Sequence, residues 1–147
     1  VLFRSITIQK YRFEDRLEYS IHCNEAWYNA QIPKMCIQPL VENSINYGLE
    51  ESTELCTIEI TIEHQPESGT LTVLVKNDGS LFEDHLLEKL RSQEIKPHGF
   101  GIGLININER IKLMFGKDYG LTLYNENDWA VARIIMPYIT DQEGILC

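Results

Sequence analysis

Apolar and polar positions along this chain follow two rhythms that alternate. Leu17 to Ile21 switches between apolar and polar at every step, as a strand with one wet face does. Cys56 to His64 does the same through Cys56, Ile58, Ile60 and Ile62. Leu71 to Val75 follows after Pro66-Glu67-Ser68-Gly69, so these two runs predict a hairpin. Leu121 to Tyr124 and Ala130 to Met136 predict a second hairpin around Asn125 to Asp128. Elsewhere the period is helical. Pro33 to Tyr47 sets Ile37, Leu40, Val41, Ser44 and Ile45 on one face, with Pro39 in the first turn or at a kink and Gly48 as a stop. Phe82 to Leu90 predicts a short amphipathic helix. Leu104, Ile107, Ile111, Met114 and Phe115 predict a longer one that ends at Gly116. Ser5 to Phe13 reads as the tail of a helix, and Trp27 to Gln31 as a loop. The order strand, helix, hairpin, two helices, hairpin implies an α+β two-layer sandwich: a mostly antiparallel mixed sheet with helices on one face.

Two polar or glycine-rich stretches break these rhythms. Arg91 to His98 is polar and holds Pro97, so a mobile loop is expected. Gly99-Phe100-Gly101-Ile102-Gly103-Leu104 then alternates glycine with larger residues before the long helix. Glycine lets backbone approach a ligand closely, and a helix start offers unpaired N–H groups to a phosphate.

Composition narrows the function. The 147 residues suffice for one domain with a core, and no apolar run is long enough to span a membrane. The net charge of −9 argues against nucleic acid and anionic lipid as partners. An anion pocket here must rest on backbone dipoles, a metal and a few basic residues. The four cysteines, Cys23, Cys36, Cys56 and Cys147, show no Cys-x-x-Cys spacing and read as reduced thiols rather than a zinc site. Val1-Leu2-Phe3-Arg4 carries no signal-peptide pattern and no initiating Met, so the chain reads as a piece of something larger.

Three motif stretches and one joining segment carry a resemblance. Gln38-Pro39-Leu40-Val41-Glu42-Asn43-Ser44-Ile45-Asn46-Tyr47-Gly48 resembles the N box of sensor histidine kinases of the LytS/YesM type. Val75-Lys76-Asn77-Asp78-Gly79 resembles their adenine-binding D box. The glycine stretch, with Asn106 and Arg110, resembles their G box. Ile8 to Leu17 resembles the segment that joins the phosphoacceptor region to the ATP domain. The resemblance implies the GHKL (Bergerat) fold. Residues 1–14 would be the end of the phosphoacceptor region, 15–140 the ATP-binding catalytic domain and 141–147 a tail. It also implies Mg2+ and ATP as ligands and phosphotransfer to a histidine outside this chain. A response regulator is implied as partner through the phosphoacceptor region. The setting implied is the cytoplasmic part of an inner-membrane sensor, with the full-length protein a membrane-anchored homodimer.

On that resemblance, Asn43 is the Mg2+-holding asparagine, and a neutral amide oxygen suits one position of an octahedral ion. Glu42, about 100° round the helix, is its acidic neighbour and would orient a water or the nucleophile; otherwise it is a solvated glutamate. Asn46 and Tyr47 stand where the family has a basic residue and a His or aromatic. Asn46 gives a weaker phosphate contact than a cation would, and Tyr47 either stacks on the nucleotide or packs. Asn77, Asp78 and Gly79 replace the usual Asp-Asn-Gly. Asn77 accepts from adenine without charge assistance, or Asp78 takes over the role, or the three form a plain turn. Ser80-Leu81 replaces the second glycine of the box. Gly99, Gly101, Ile102, Gly103 and Leu104 would line the nucleotide. The histidines His22, His64, His85 and His98 read as surface residues, outside the family's phosphoacceptor context. A rival reading keeps the fold as a degenerate scaffold with weak or no nucleotide binding, motivated by Asn46, Asn77 and Ser80.

Overall fold

The strand runs expected from alternation form one five-stranded sheet in the order β1-β2-β3-β5-β4. Its strands are β1 (Leu17–Cys23), β2 (Cys56–Gln65), β3 (Thr70–Asn77), β4 (Gly120–Glu126) and β5 (Trp129–Pro137). β1 runs parallel to β2 and every other pairing is antiparallel. The helices are α1 (Ile37–Glu50), α2 (Leu86–Arg91) and α3 (Gly101–Phe115), with a short 3-10 turn at Glu25–Trp27. The computed structural model describes residues 16–50, 55–93 and 101–140, with 47–50 described by backbone alone. The expected helix tail at 5–13, the C-terminal tail at 141–147, Gly99, and residues 94–98 of the polar loop lie outside them. Among the described residues no helix is long and apolar enough to cross a membrane.

One face of the sheet is apolar and covered. Ile58, Ile60, Val73, Val75, Ile134 and Met136 share it and are buried. α1 packs over β2 and β3, and α3 over β4 and β5. α1 contributes Leu40, Val41 and Ile45, and α3 contributes Leu104, Ile107 and Ile111. Each such side chain stabilises the fold by roughly 1.5–3 kcal/mol relative to exposure. The opposite face alternates Thr57, Glu59, Thr61 and Glu63 on β2 and is wet, as the period-2 pattern requires.

Several boundaries differ from the sequence expectation for physical reasons. α1 starts at Ile37, not Pro33, because Met35 sits at φ +60°, outside helical geometry. Pro39 is then the third helical residue, where its missing N–H has no intrahelical partner to lose. Gly48 does not stop the helix, which runs on to Glu50; a glycine in a helix interior costs only about 1 kcal/mol. α2 is shorter than Phe82 to Leu90 because His85, at φ +58°, turns the chain just before Leu86. In α3, Met114 is exposed and Asn108 takes a core-facing place instead. His64 is not a free surface residue: its ring stacks on Tyr138 at 3.8 Å and meets Trp27 edge-on at 6.5 Å. The last hairpin turns on Asn127 and Asp128 alone, both at positive φ, as a two-residue turn of the primed type demands. Asn125 therefore belongs to β4.

Candidate nucleotide site

The central turns of α1 place Asn43 inward. It is 2% exposed, in a run where Val41, Ser44 and Ile45 are also buried. Among the described residues neither its Oδ1 nor its Nδ2 has a hydrogen-bond partner. This excludes a helix-surface asparagine, and a buried amide left unpaired costs about 1–3 kcal/mol. Glu42 is half-buried. Gln38 Nε2 donates to its Oε1 at 3.1 Å, one helical turn away. Asn46 turns its amide back on its own helix, Nδ2 donating to the Glu42 carbonyl at 2.8 Å. Tyr47 continues the helix, and its side chain lies outside the described residues.

β3 ends on Asn77, which is 0% exposed and faces the helices in the row of Val73 and Val75. Its Nδ2 donates to the carbonyls of Asp78, at 3.1 Å, and Ser80, at 3.4 Å, while Oδ1 has no partner among the described residues. Asp78 is engaged differently. Its N–H donates to the Thr57 carbonyl at 3.2 Å, and its Oδ1 accepts from Thr57 N–H at 2.6 Å. Asp78 thus prolongs the β2–β3 ladder past the end of the strand, while Asn77 keeps a buried free acceptor. Cys56 lies beneath this turn, its thiol 3.8 Å from the Asp78 carbonyl; burial, and secondarily the charge of Asp78, push its pKa up to about 11. Gly79 is exposed at φ +102°, a conformation few other residues adopt.

The glycine box departs from the loop-then-helix expectation. Gly101, Ile102, Gly103 and Leu104 are all within α3. Gly101 is buried, Ile102 is exposed, and Leu104 belongs to the core. A Cβ on Gly103 would meet Pro39 Cβ at 4.0 Å, an ordinary contact. This glycine is therefore not required by packing between α1 and α3. From the same helix, Arg110 Nη2 donates to the Met35 carbonyl at 2.7 Å and to Cys36 Sγ at 3.2 Å. That ties the glycine box to the turn that leads into the N box. At the end of α2, Arg91 pairs with Glu109 of α3 at 3.1 Å, both half-exposed.

No protein-family model matches the chain. Over 130 residues it is 37% identical to the sensor histidine kinase YesM of Bacillus subtilis, an alignment that covers 88% of this chain and 21% of that protein. It is 33% identical over 138 residues to the sensor protein LytS of Oceanobacillus iheyensis, with 90% and 23% covered. The chain belongs to the LytS/YesM sensor histidine kinases. It spans only about a fifth of the length of these relatives. In three dimensions it superposes on the nucleotide-free catalytic domain of histidine kinase ThkA with a TM-score of 0.68 at 21% identity, covering 93% of this chain and 92% of that one. A crystal structure of ThkA in complex with the response regulator TrrA matches at 0.61 and 19% identity, covering 94% of this chain and 40% of that one. The fold is therefore that of a histidine kinase catalytic domain, a mixed-sheet α+β sandwich.

Within this LytS/YesM-type domain, sequence reasoning named three boxes but missed the contacts that hold them. Thr57, the Met35–Arg110 bond and Asn125 have no motif that marks them. Asn125 Oδ1 accepts from Phe82 N–H, and its Nδ2 donates to the Phe82 carbonyl, both at 2.9 Å. The alternating run up to Tyr124 was the only sequence signal that strand geometry could extend to Asn125.

Proposed function

We propose that this domain binds Mg-ATP and passes the γ-phosphate to a histidine outside these 147 residues, as the catalytic part of a two-component sensor kinase. The observation that carries the proposal is the pair of buried asparagines, Asn43 and Asn77, each with a carbonyl oxygen that has no partner among the described residues. Two such costs in one small domain are accounted for if a ligand meets both groups. The donor chemistry fits. Asn43 Oδ1 is a hard neutral oxygen of the kind Mg2+ takes alongside phosphates and waters. Asn77 Oδ1 is an acceptor suited to an exocyclic amine such as that of adenine. When bound, the metal neutralises charge on the transferring phosphate, and little covalent chemistry is asked of the protein.

The chain's own residues then have separate tasks. Glu42, held by Gln38, would orient the incoming nucleophile. Gly79 and the first turn of α3, Gly101 to Gly103, offer backbone rather than side chains to the nucleotide, with Gly99 assigned to the same role. Asn46 has one of its two amide N–H donors engaged on the helix, and the one that remains is uncharged, which makes it a weaker phosphate ligand than a cation. Asp78 serves the turn, and we assign adenine recognition to Asn77. In the whole protein we propose a response regulator as partner, in keeping with ThkA and TrrA, and a cytoplasmic position in a membrane-anchored dimer. The scaffold reading is disfavoured, because a domain released from ligand binding would gain stability by replacing both buried amides with apolar residues.

Calorimetric titration of the 147-residue protein with ATP, with and without Mg2+, tests the reading. ATP is expected to bind, and Mg2+ to strengthen it. Absence of ATP binding in both conditions would overturn it.

A further inference from the structure

Asn77 and Asn125 stand in one row across the sheet. Both have Ala130 as their Cα partner, Asn77 from β3 and Asn125 from β4, with β5 between them. Two strand spacings put them roughly 10 Å apart, over a side chain no larger than a methyl group. The segment Asp78 to Phe82 leaves the sheet at Asn77 and is caught again by Asn125. The catch is bidentate: the Asn125 carboxamide satisfies both the N–H and the carbonyl of Phe82, as a strand partner would. At the near end, Asn77 Nδ2 donates to two carbonyls of the same segment, those of Asp78 and Ser80.

These bonds decide which end of the Asn77 amide is available. With two carbonyl oxygens in front of it, only the nitrogen can face the segment. A flipped amide would set oxygen against oxygen. The unpartnered atom is therefore Oδ1, an acceptor. A carboxylate at this position would be an acceptor whichever way it turned; an amide is one only while the segment stays in place. We propose that Asn125 is a specificity-determining positioning residue. By holding Phe82, and through it Ser80, it keeps Asn77 oriented as an acceptor, so that the site takes a base with an amino group at the six position and rejects one with a carbonyl there. This rests on the nucleotide-binding reading above and adds how this chain keeps base selectivity without the charge.

The test compares ATP and GTP affinity, with melting temperature, in four forms of the 147-residue protein: unaltered, Asn125→Ala, Asn77→Asp, and both together. Unaltered protein prefers ATP. Asn125→Ala lowers the ATP-to-GTP affinity ratio by about fivefold or more, the worth of one neutral hydrogen bond, because the amide is released to flip. In the Asn77→Asp background the same Asn125→Ala change leaves the ratio where Asn77→Asp alone puts it, since a carboxylate has no donor to turn and in either orientation already sets an oxygen against the Asp78 and Ser80 carbonyls. A ratio unmoved by Asn125→Ala, or one that falls equally in both backgrounds, would overturn the proposal; the second result is what simple distortion gives. If Asn125→Ala does not fold, Asn125→Asp keeps the acceptor for Phe82 N–H, loses the donor to its carbonyl, and is expected to shift the ratio in the same direction. Unaltered protein that binds ATP and GTP equally sinks this inference but leaves the nucleotide reading standing. Unaltered protein that binds neither sinks both.

Discussion

Arg110 donates from Nη2 to the carbonyl oxygen of Met35 at 2.7 Å, across 75 residues of chain. The bond joins the glycine-box helix to the turn before the N box, at a residue whose φ of +60° needs outside support. Arg110→Ala is expected to lower stability by about 1.5 kcal/mol, the low end for a hydrogen bond to a charged group because this one is partly solvated. Arg110→Lys recovers only part of the loss, since the shorter lysine stem carries its ammonium less far than the Nη2 that serves both the Met35 carbonyl and Cys36 Sγ. Denaturant midpoints for the three proteins check the order.

Asn43→Ala separates binding from folding. The amide is buried and unpartnered, so its removal relieves a cost as well as trimming contacts. The variant without nucleotide is expected to be as stable as the unaltered protein or slightly more so. Mg-ATP at about a hundred times its dissociation constant should raise unaltered stability by ~2.7 kcal/mol and leave the variant nearly unmoved. Thermal melts with and without Mg-ATP read both arms; a variant that loses stability without nucleotide yet keeps the full ligand shift would remove Asn43 from the site.

Cys56 predicts a pH dependence. Its folded pKa is raised to about 11 from an ordinary 9.0. Above pH 9 the unfolded thiol gives up its proton while the folded one keeps it, so the folded state binds more protons and stability falls as pH rises. The loss runs from about pH 9 to pH 11 and is on the order of 2 kcal/mol. Below pH 9 both states are protonated and no effect is expected. Subtracting the stability profile of Cys56→Ala isolates the slope from lysines and tyrosines that titrate nearby. Parallel profiles between pH 9 and 11 would refute it.

Gly120→Ala is expected to be among the costly single changes. Gly120 has φ +149°, and a Cβ there would lie 2.6 Å from Asn108 Oδ1 and 3.2 Å from Lys112 Cε. That oxygen cannot simply withdraw, because it accepts the Leu121 N–H at 2.9 Å in a buried setting. Strain plus a compromised buried bond predict a loss of about 2–4 kcal/mol. Asn108→Ala/Gly120→Ala should be less destabilised than the sum of the single changes, because the clash is with the group removed. A double-mutant cycle by chemical denaturation decides it.

What the sequence by itself determined is what depends on near neighbours. The alternation of Cys56, Ile58 and Ile60 against Leu71, Val73 and Val75 specifies a hairpin with one buried face, because a one-residue slip would turn every apolar side chain to water. Leu40, Val41 and Ile45 specify which side of α1 meets that face, and the boxes come in an order that marks the family. The tertiary structure decided what depends on a partner supplied from far along the chain. Ser44 falls on the apolar face of α1 by sequence spacing, whereas only the packed layers show that its neighbour Asn43 is buried too. Asn77 and Asp78 were exchangeable as candidate acceptors until Thr57 engaged the carboxylate and left the amide oxygen free. Asn125 read as a turn residue because turns favour asparagine; the two-residue turn at Asn127-Asp128 returned it to the strand and set its amide against Phe82, 43 residues away. A polar side chain carries no local sign of which distant backbone group will satisfy it. Its hydrogen-bond partner, or the lack of one, exists only once the chain has folded.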